Sequence, residues 1–169
     1  NDSSLKIYLE MFDVQGSQVA PTNFNIIVFT LSQSFDEGIG TDVIGFNDLD
    51  RTNFITASYS SGQNILWNLP GAFASGALGD PSIDLIEYGT LGASSVYFPA
   101  TQHFDSGREN LKIDVTTIVS ASMCGLIPDK GFLIAFSGSE ELDSKTRFVK
   151  RFASRHSRNP YIRPKLTIE

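Results

Sequence analysis

The chain has 169 residues, 41% of them hydrophobic and 19% charged, which excludes a disordered chain and indicates a folded globular protein. This length predicts one domain over residues 1–169, compatible with a longer parent chain, that builds its core without disulfides or a metal. We expect no direct binding of nucleic acid, because residues 1–144 carry a net charge of −13 that repels phosphate. Neither a bilayer-spanning apolar run nor a signal peptide is visible, so we expect no membrane partner.

Short strand-like runs separated by Gly, Ser, Asn, Asp and Pro predict an all-β sandwich or barrel. Leu5–Phe12 alternates apolar and polar residues, and Phe24–Leu31 is a longer apolar run that predicts a strand covered on both faces. The other predicted strands are Val43–Phe46, Phe54–Tyr59, Ile65–Leu69, Ile83–Tyr88, Val96–Pro99, Asn110–Val115, Phe132–Ser137, Arg147–Ala153 and Lys165–Ile168.

One short helix is predicted over Thr117–Met123, with Thr116 or Thr117 as its N-cap. Gly125 stands where a left-handed residue often ends a helix, and Pro128 follows as a stop. The single cysteine, Cys124, lies in this apolar segment, and we interpret it as a buried, inert thiol.

Together these elements predict an all-β fold, an antiparallel β-sandwich of jelly-roll type with one short helix. Two packed layers of strands leave few open edges, which suits a chain with many short strands. The predicted core residues are Leu5, Ile7, Ile26, Val28, Phe35, Trp67, Ile113, Val115, Val119, Phe132, Ile134, Phe148 and Leu166.

The charge is distributed unevenly along the chain. Residues 145–169 carry eight basic residues against one acidic residue, a net +7, and the remainder carries −13. Such asymmetry indicates either an interaction surface or a basic segment lying among the acidic loops of its own domain. For the first case we expect an acidic protein or a second copy of the chain as partner. The candidate interface residues are Arg147, Lys150, Arg151, Arg155, Arg158 and Arg163.

Catalytic groups are sparse in the sequence. A Ser–His–Asp system needs a histidine base, and the two histidines, His103 and His156, lie in a strand-end or loop segment and in a basic turn. No Gly-x-Ser-x-Gly elbow, zinc-type Cys/His spacing or Walker loop is present. We therefore predict no enzyme, no catalytic residue and no cofactor. A structural calcium is an open alternative to solvated turns at Asp36, Glu37, Asp42, Asp48 and Asp50.

Aromatic residues offer weak candidates for stacking on a sugar ring. Trp67, the only tryptophan, lies between Leu66 and Leu69 and is either a core residue or a glycan platform. Tyr97 and Tyr161 are further glycan candidates, with Tyr59 and Tyr88 as other possible members of a platform.

The stretch 111–136, LKIDVTTIVSASMCGLIPDKGFLIAF, combines a strand ending in Asp-Val-Thr, a short helix and an Asp-x-Gly-Phe turn. This order resembles jelly-roll domains of the DNRLRE-like type, extracellular domains similar to carbohydrate-binding modules. The resemblance implies the architecture and brings no sugar site with it. The matching positions are Leu5–Tyr8, Phe35–Gly38 (with Phe for the usual Trp), Asp114–Thr116, Asp129–Phe132, Ser154–Arg155 and Pro164–Leu166.

Residues 28–58 and 114–160 are also similar to virion proteins of tailed bacteriophages, particularly those of aquatic hosts. This likeness implies a non-enzymatic structural component of the virion, such as a head decoration, a neck or collar protein, or a tail appendage. Its partners would be other virion proteins or copies of itself. The alternative is a carbohydrate-binding module or host-adhesion domain that recognises a cell-surface glycan, which rests on fold analogy.

Overall fold

A computed structural model describes residues 5–16, 21–38, 51–138 and 149–169. It confirms the predicted fold class, an all-β antiparallel sandwich with one short helix. Two compact units divide the chain: unit 1 comprises Asn1–Val28, Ala100–Ser120 and Ile134–Glu169, and unit 2 comprises Phe29–Pro99 and Ala121–Leu133. The single-domain assignment stays a prediction. Within the described residues, no helix is long and apolar enough to cross a membrane.

The strands are short, as the frequent turn residues require. In chain order they are β1 (Ile7–Met11), β2 (Phe24–Leu31), β3 (Thr56–Ser60), β4 (Gln63–Leu66), β5 (Ser75–Ala77), β6 (Leu85–Leu91), β7 (Ser94–Tyr97), β8 (Ala100–Phe104), β9 (Leu111–Asp114), β10 (Phe132–Phe136) and β11 (Lys165–Ile168). The helix α1 spans Thr116–Met123, and a 3₁₀ turn covers Pro160–Ile162.

A three-stranded antiparallel sheet in the order β11–β1–β9 belongs to unit 1. Its register places Leu9 opposite both Leu166 and Ile113. The alternation predicted for β1 is confirmed, because Ile7, Leu9 and Ile113 are all buried on the same face of the sheet.

Unit 1 also pairs β8 with Phe24–Val28 of β2, in a register that sets Phe24 opposite Phe104. The two rings stack with centroids 5.0 Å apart, and Phe136 meets Phe24 edge-on at 5.3 Å. Both members of the stacked pair are almost fully buried. These aromatic contacts are the centre of the unit 1 core.

In unit 2, β6 pairs with β7 in antiparallel and with β5 in parallel orientation, so one strand pair departs from the antiparallel prediction. The β3–β4 hairpin turns at Ser61 and Gly62, both with positive φ, which matches the right-handed twist of its strands. The buried core of this unit is formed by Leu31, Ala57, Trp67, Ala72 and Leu85.

Asp84 is a fully buried carboxylate in unit 2 that sequence analysis did not single out. Its Oδ1 accepts hydrogen bonds from Gln33 Nε2 at 2.7 Å and from the backbone N–H of Asn68 at 2.8 Å. The Asn68 side-chain amide also donates to Oδ1 at 3.1 Å, and the backbone N–H of Leu69 donates to Oδ2 at 3.0 Å. Four donors replace the water that this charge would otherwise need.

The helix ends as predicted and begins differently. Gly125 has φ +69°, and the N–H groups of Gly125 and Leu126 donate to the carbonyls of Ser122 and Ala121, which is the Schellman pattern. At the start, the N-cap prediction is wrong, because the carboxylate of Asp114 accepts the N–H of Thr116 at 3.0 Å. The Thr116 hydroxyl instead accepts the N–H of Ile7.

The prediction that Cys124 is buried is wrong, since its side chain is exposed. The helix buries Ile118 and Ala121, which lie one turn apart on the same face. Met123 lies on the opposite side and is 81% exposed, and Cys124 follows the last helical residue. An apolar run therefore misled the prediction, because only one face of this helix is covered.

Several strand predictions need correction. The polar segments β5 and β8 were not predicted, because neither carries an apolar alternation. The strand expected over Arg147–Ala153 is wrong for its described part, which forms only one isolated bridge between Asp13 and Phe152. The expected strand Val43–Phe46 lies outside the described residues.

The predicted core is also partly corrected. Leu5, Phe35 and Leu166 are exposed: Leu5 precedes β1, Leu166 is on an edge strand, and the Phe35 ring lies close to the backbone of Gly131. Buried as predicted are Ile7, Ile26, Val28, Trp67, Ile113 and Val115; Val119, Phe132 and Ile134 are half-buried; and Phe148 lies outside the described residues.

Candidate functional site

Lys150, a predicted interface residue, is directed into unit 1 and not towards a partner. Its side chain is only 2% exposed, and its Nζ lies 2.6 Å from Asp13 Oδ1. The same Nζ donates to the carbonyl oxygens of Gly107 at 3.0 Å and Glu109 at 2.8 Å. An ammonium group has three protons, so its donor capacity is used within the unit. As an interface residue, Lys150 is therefore a wrong prediction.

Beside Lys150 is an open cleft of about 340 Å³ in unit 1. Arg108 and Arg151 line it together with Asp13 and Ser106. The guanidinium of Arg151 lies against the backbone of Gly16, where a Cβ would come within 3.3 Å of it. The cleft thus has a mixed charge, and none of its described lining residues is a histidine that could serve as a base.

The segment 154–163, here called the arginine–tyrosine loop, carries three predicted interface residues. Its backbone is held internally: the N–H of Ser157 donates to the Ser154 carbonyl at 3.0 Å. The side chain of Asn159 caps the 3₁₀ turn by accepting the N–H of Tyr161 at 3.0 Å. Arg163 Nε donates to the carbonyl of Ser157 at 3.0 Å and so ties the two ends of the loop together.

Several side chains of this loop are exposed to solvent. Tyr161 is 84% exposed, the largest exposed fraction among the large apolar and aromatic residues described. Arg155, Arg158 and Arg163 of the same loop are also exposed, whereas Arg147 lies outside the described residues. The loop therefore presents an exposed aromatic ring and exposed arginines, a composition enriched at the energetic centres of protein interfaces.

Tyr97, a predicted glycan residue, has a neighbour that the sequence alone could not assign. In the β6–β7 register, Tyr97 lies directly opposite Tyr88, so both side chains share one face of unit 2. They are 60% and 49% exposed. Partial burial, and then the charge of Glu87, raise the pKa of Tyr97 above its ordinary value. Its hydroxyl, protonated at neutral pH like that of any tyrosine, can donate a hydrogen bond.

Trp67, the other glycan candidate in unit 2, belongs to the core. Its side chain is 8% exposed, and its Nε1 donates to the carbonyl of Asn53 at 2.9 Å. The ring therefore has no open face for a sugar, and the glycan prediction for Trp67 is wrong. Tyr161 is in unit 1 and is open to solvent.

The calcium candidates are only partly described. Asp36 uses its Oδ2 to accept the N–H of Tyr59, 23 residues away, at 2.7 Å, so this oxygen has a structural contact and not the local turn bond expected as the alternative. Asp42, Asp48 and Asp50 lie outside the described residues. Within the residues that the structure describes, no three Asp, Glu, His or Cys side chains cluster as metal ligands would. The calcium site, with Asp36 and Glu37 as members, stays a prediction.

Both ring nitrogens of His103 already have partners. Nδ1 lies 2.9 Å from Asn25 Oδ1, and Nε2 lies 3.2 Å from Asp105 Oδ1 at an exposed strand end. A general base needs one nitrogen facing the proton it takes. This geometry gives His103 a local structural role in the state described.

Comparison with known proteins adds no relative: no family model matches the chain, and no curated protein or solved structure matches it significantly.

Proposed function

We propose that this chain is a non-enzymatic structural component of a bacteriophage virion, a head decoration, neck or collar, or tail-appendage protein. Its localisation would be the virion, and it would act by assembling with other virion proteins or with copies of itself. The likeness of residues 28–58 and 114–160 to phage virion proteins supports this assignment.

The observation that carries the assembly role is the arginine–tyrosine loop. Its internal hydrogen bonds hold the backbone in place before any partner arrives, so little conformational entropy would be lost on binding. Tyr161 supplies a rigid aromatic surface, and Arg155 and Arg158 supply positive charge. The complementary partner is an acidic protein surface.

A direct test uses particles of the phage that encodes the chain. We would supply wild-type or Arg158→Glu/Tyr161→Ala protein in trans, purify the virions by density gradient and count its copies by quantitative mass spectrometry. Lys130→Glu is a matched control, because it reverses an exposed charge in unit 2.

We expect the wild-type chain and the control at a fixed copy number per particle. The loop variant should fall at least about tenfold, the effect of losing 1.4 kcal/mol of binding. Absence of the wild-type chain from particles would refute the virion assignment. Retention of the loop variant at full copy number would refute the role of the loop.

A second candidate function, glycan binding, is favoured by the Tyr88–Tyr97 pair. Two exposed tyrosines on one sheet face offer apolar surface for a pyranose ring and hydroxyls for its polar edge. The test is a glycan screen followed by titration of any bound sugar. Tyr97→Ala should abolish binding, whereas Tyr59→Ala, also an exposed tyrosine of unit 2, should retain it. Equal loss in both variants would argue against this platform.

A further inference from the structure

The two edges of the β11–β1–β9 sheet in unit 1 differ in how they are covered. At the β9 edge, the Gln102 side chain accepts the N–H of Lys112 at 2.7 Å and donates to the carbonyl of Asn110 at 2.9 Å. At the β11 edge, no described residue pairs with the strand from the outer side. An uncovered strand edge is a template for another strand.

The hydrogen-bond phase shows which β11 groups face outwards. Lys6 and Glu169 exchange both backbone hydrogen bonds, N to O, at 2.8 and 2.9 Å. In an antiparallel ladder, hydrogen-bonded pairs alternate with non-hydrogen-bonded pairs. Thr167, two residues before Glu169, is therefore in a hydrogen-bonded pair with Tyr8 of β1. The N–H and C=O groups of Leu166 and Ile168 therefore point away from β1.

The side chains of these two residues are also uncovered. Leu166 and Ile168 lie on the same sheet face as the buried Leu9 and Ile7, their partners in the register. They are nevertheless 49% and 65% exposed. The apolar face of this sheet thus continues onto its open edge. At this edge the outward backbone groups are unpaired among the described residues, and the apolar side chains are exposed to solvent.

We propose that β11 pairs antiparallel with β11 of a second copy, with Thr167 on the two-fold axis. This register sets Leu166 opposite Ile168 of the second copy and, by symmetry, the reverse. These are the residues with outward backbone groups, so the pairing forms four new backbone hydrogen bonds. It also covers both exposed apolar side chains.

Charge complementarity selects a second copy over other strands. On the polar face, Lys112, Glu10 and Lys165 form a row across the sheet with alternating charge. In the proposed register, Lys165 lies opposite Glu169 of the second copy, whose own register neighbour is Lys6 and whose carboxylate also pairs with Lys112 of the same copy. The row then continues as plus, minus, plus, minus, plus across the new junction. A lysine on an edge usually opposes strand pairing, and here it is matched.

The result is an isologous dimer, in which one sheet of six strands runs through both copies. The contact is small, so we expect a weak dimer with a dissociation constant in the micromolar range or above. The proposal deepens the assembly role, since it names a second copy as one partner, and it does not involve the arginine–tyrosine loop. Arg158→Glu/Tyr161→Ala should leave this dimer intact, which separates the two hypotheses.

The decisive experiment is site-specific disulfide trapping of the whole chain. Residues facing each other across a non-hydrogen-bonded antiparallel pair have Cα atoms about 4.5 Å apart, a distance that a disulfide spans. Cys124 is exposed, so every variant also carries Cys124→Ser. Thr167→Cys places a thiol on the proposed axis, and Ile168→Cys, one residue away on the other face, is the matched control.

Under mild oxidation we expect Thr167→Cys to yield a covalent dimer at least ten times faster than Ile168→Cys. Equal rates, or no dimer from Thr167→Cys at millimolar protein, would overturn the proposal. A second measurement uses hydrogen exchange. The amides of Leu166 and Ile168 should gain protection with rising protein concentration, whereas the Thr167 amide, bonded to β1, should not change. Concentration-independent exchange at Leu166 and Ile168 would also refute the dimer.

Discussion

Lys150 and Lys6 form ion pairs of the same length in opposite surroundings. Lys150 Nζ and Lys6 Nζ each lie 2.6 Å from a carboxylate oxygen, of Asp13 and Asp114 respectively. The Lys150 side chain is 2% exposed, and the Lys6 side chain is 48% exposed. The two pairs show that distance alone does not determine how much an ion pair contributes to stability. Burial decides what is lost when one partner is removed.

The sharpest way to test this comparison is to replace each lysine with methionine. Lys150→Met leaves Asp13 without its buried partner and removes the donor from the carbonyls of Gly107 and Glu109. Breaking a buried pair typically costs about 3–5 kcal/mol, and we expect a loss in the free energy of unfolding of about 3 kcal/mol. Lys6→Met should cost much less, because its ammonium group is half exposed and water replaces the lost partner. Urea unfolding measures both, and similar losses would contradict the role of burial.

The same contrast can be made with carboxylates in unit 2. Asp84→Ala would leave the N–H groups of Asn68 and Leu69 and the amide of Gln33 without their acceptor in a closed space. Each unsatisfied buried donor costs about 1–3 kcal/mol, so we expect a total loss of about 3 kcal/mol after partial relaxation. Asp80→Ala, at an exposed turn where the carboxylate accepts from Ser82, is the control and should destabilise the fold much less.

A second substitution at the same position separates the charge of Asp84 from its shape. If Asp84→Asn is as damaging as Asp84→Ala, the carboxylate charge matters beyond its shape, because the amide keeps one acceptor oxygen and adds donors that face other donors. An Asp84→Ala variant that unfolds at the wild-type urea concentration would show that water enters the site and replaces the lost acceptor.

Sequence periodicity predicted the parts of this fold that local geometry controls. The alternation of β1 and the bounds of β2 and β11 followed from side-chain spacing, and Gly125 marked the end of the helix. Strands β5 and β8 were missed, because a Ser-Gly-Ala or Ala-Thr-Gln-His-Phe segment becomes a strand only through its neighbour's backbone. The local sequence pattern cannot predict pairing of this kind, because it depends on residues distant in the chain.

The candidate sites were harder to predict, because they depend on contacts between distant residues. Lys150 lies in a basic run, and its burial is fixed by Asp13 and by carbonyls near position 108. The pairing of Tyr88 with Tyr97 depends on the β6–β7 register. The glycine and alanine between these strands signalled a tight turn, from which the pairing could have been inferred. The sequence gives the number of charged residues in a segment, but it does not show which of their side chains are exposed.

Acid titration tests the contribution of the exposed ion pair between Lys6 and Asp114. Hydrogen bonds from Lys6 and Thr116 lower the pKa of Asp114 to about 2, below its ordinary value of 3.8. The stabilisation is fully present above the unfolded pKa and is lost as the pH falls from about 4 to about 2. Because the carboxylate is 38% exposed, solvent screening limits this contribution to about 1 kcal/mol. Asp114→Asn should weaken the dependence of the melting temperature on pH in this window. An unchanged dependence would contradict the role of the Asp114 carboxylate.

The smallest expected effect concerns the arginine–tyrosine loop. Arg158 and Tyr161 are exposed, and the loop is held by the backbone and by Asn159 and Arg163. Replacing the first two should therefore change the free energy of unfolding by less than about 0.5 kcal/mol, the usual range for surface positions. Asn159→Ala, which removes the cap of the 3₁₀ turn, should cost about 1 kcal/mol. If Arg158→Glu/Tyr161→Ala destabilised the monomer as much as Asn159→Ala, these side chains would support the fold, and their exposure could not be attributed to a partner.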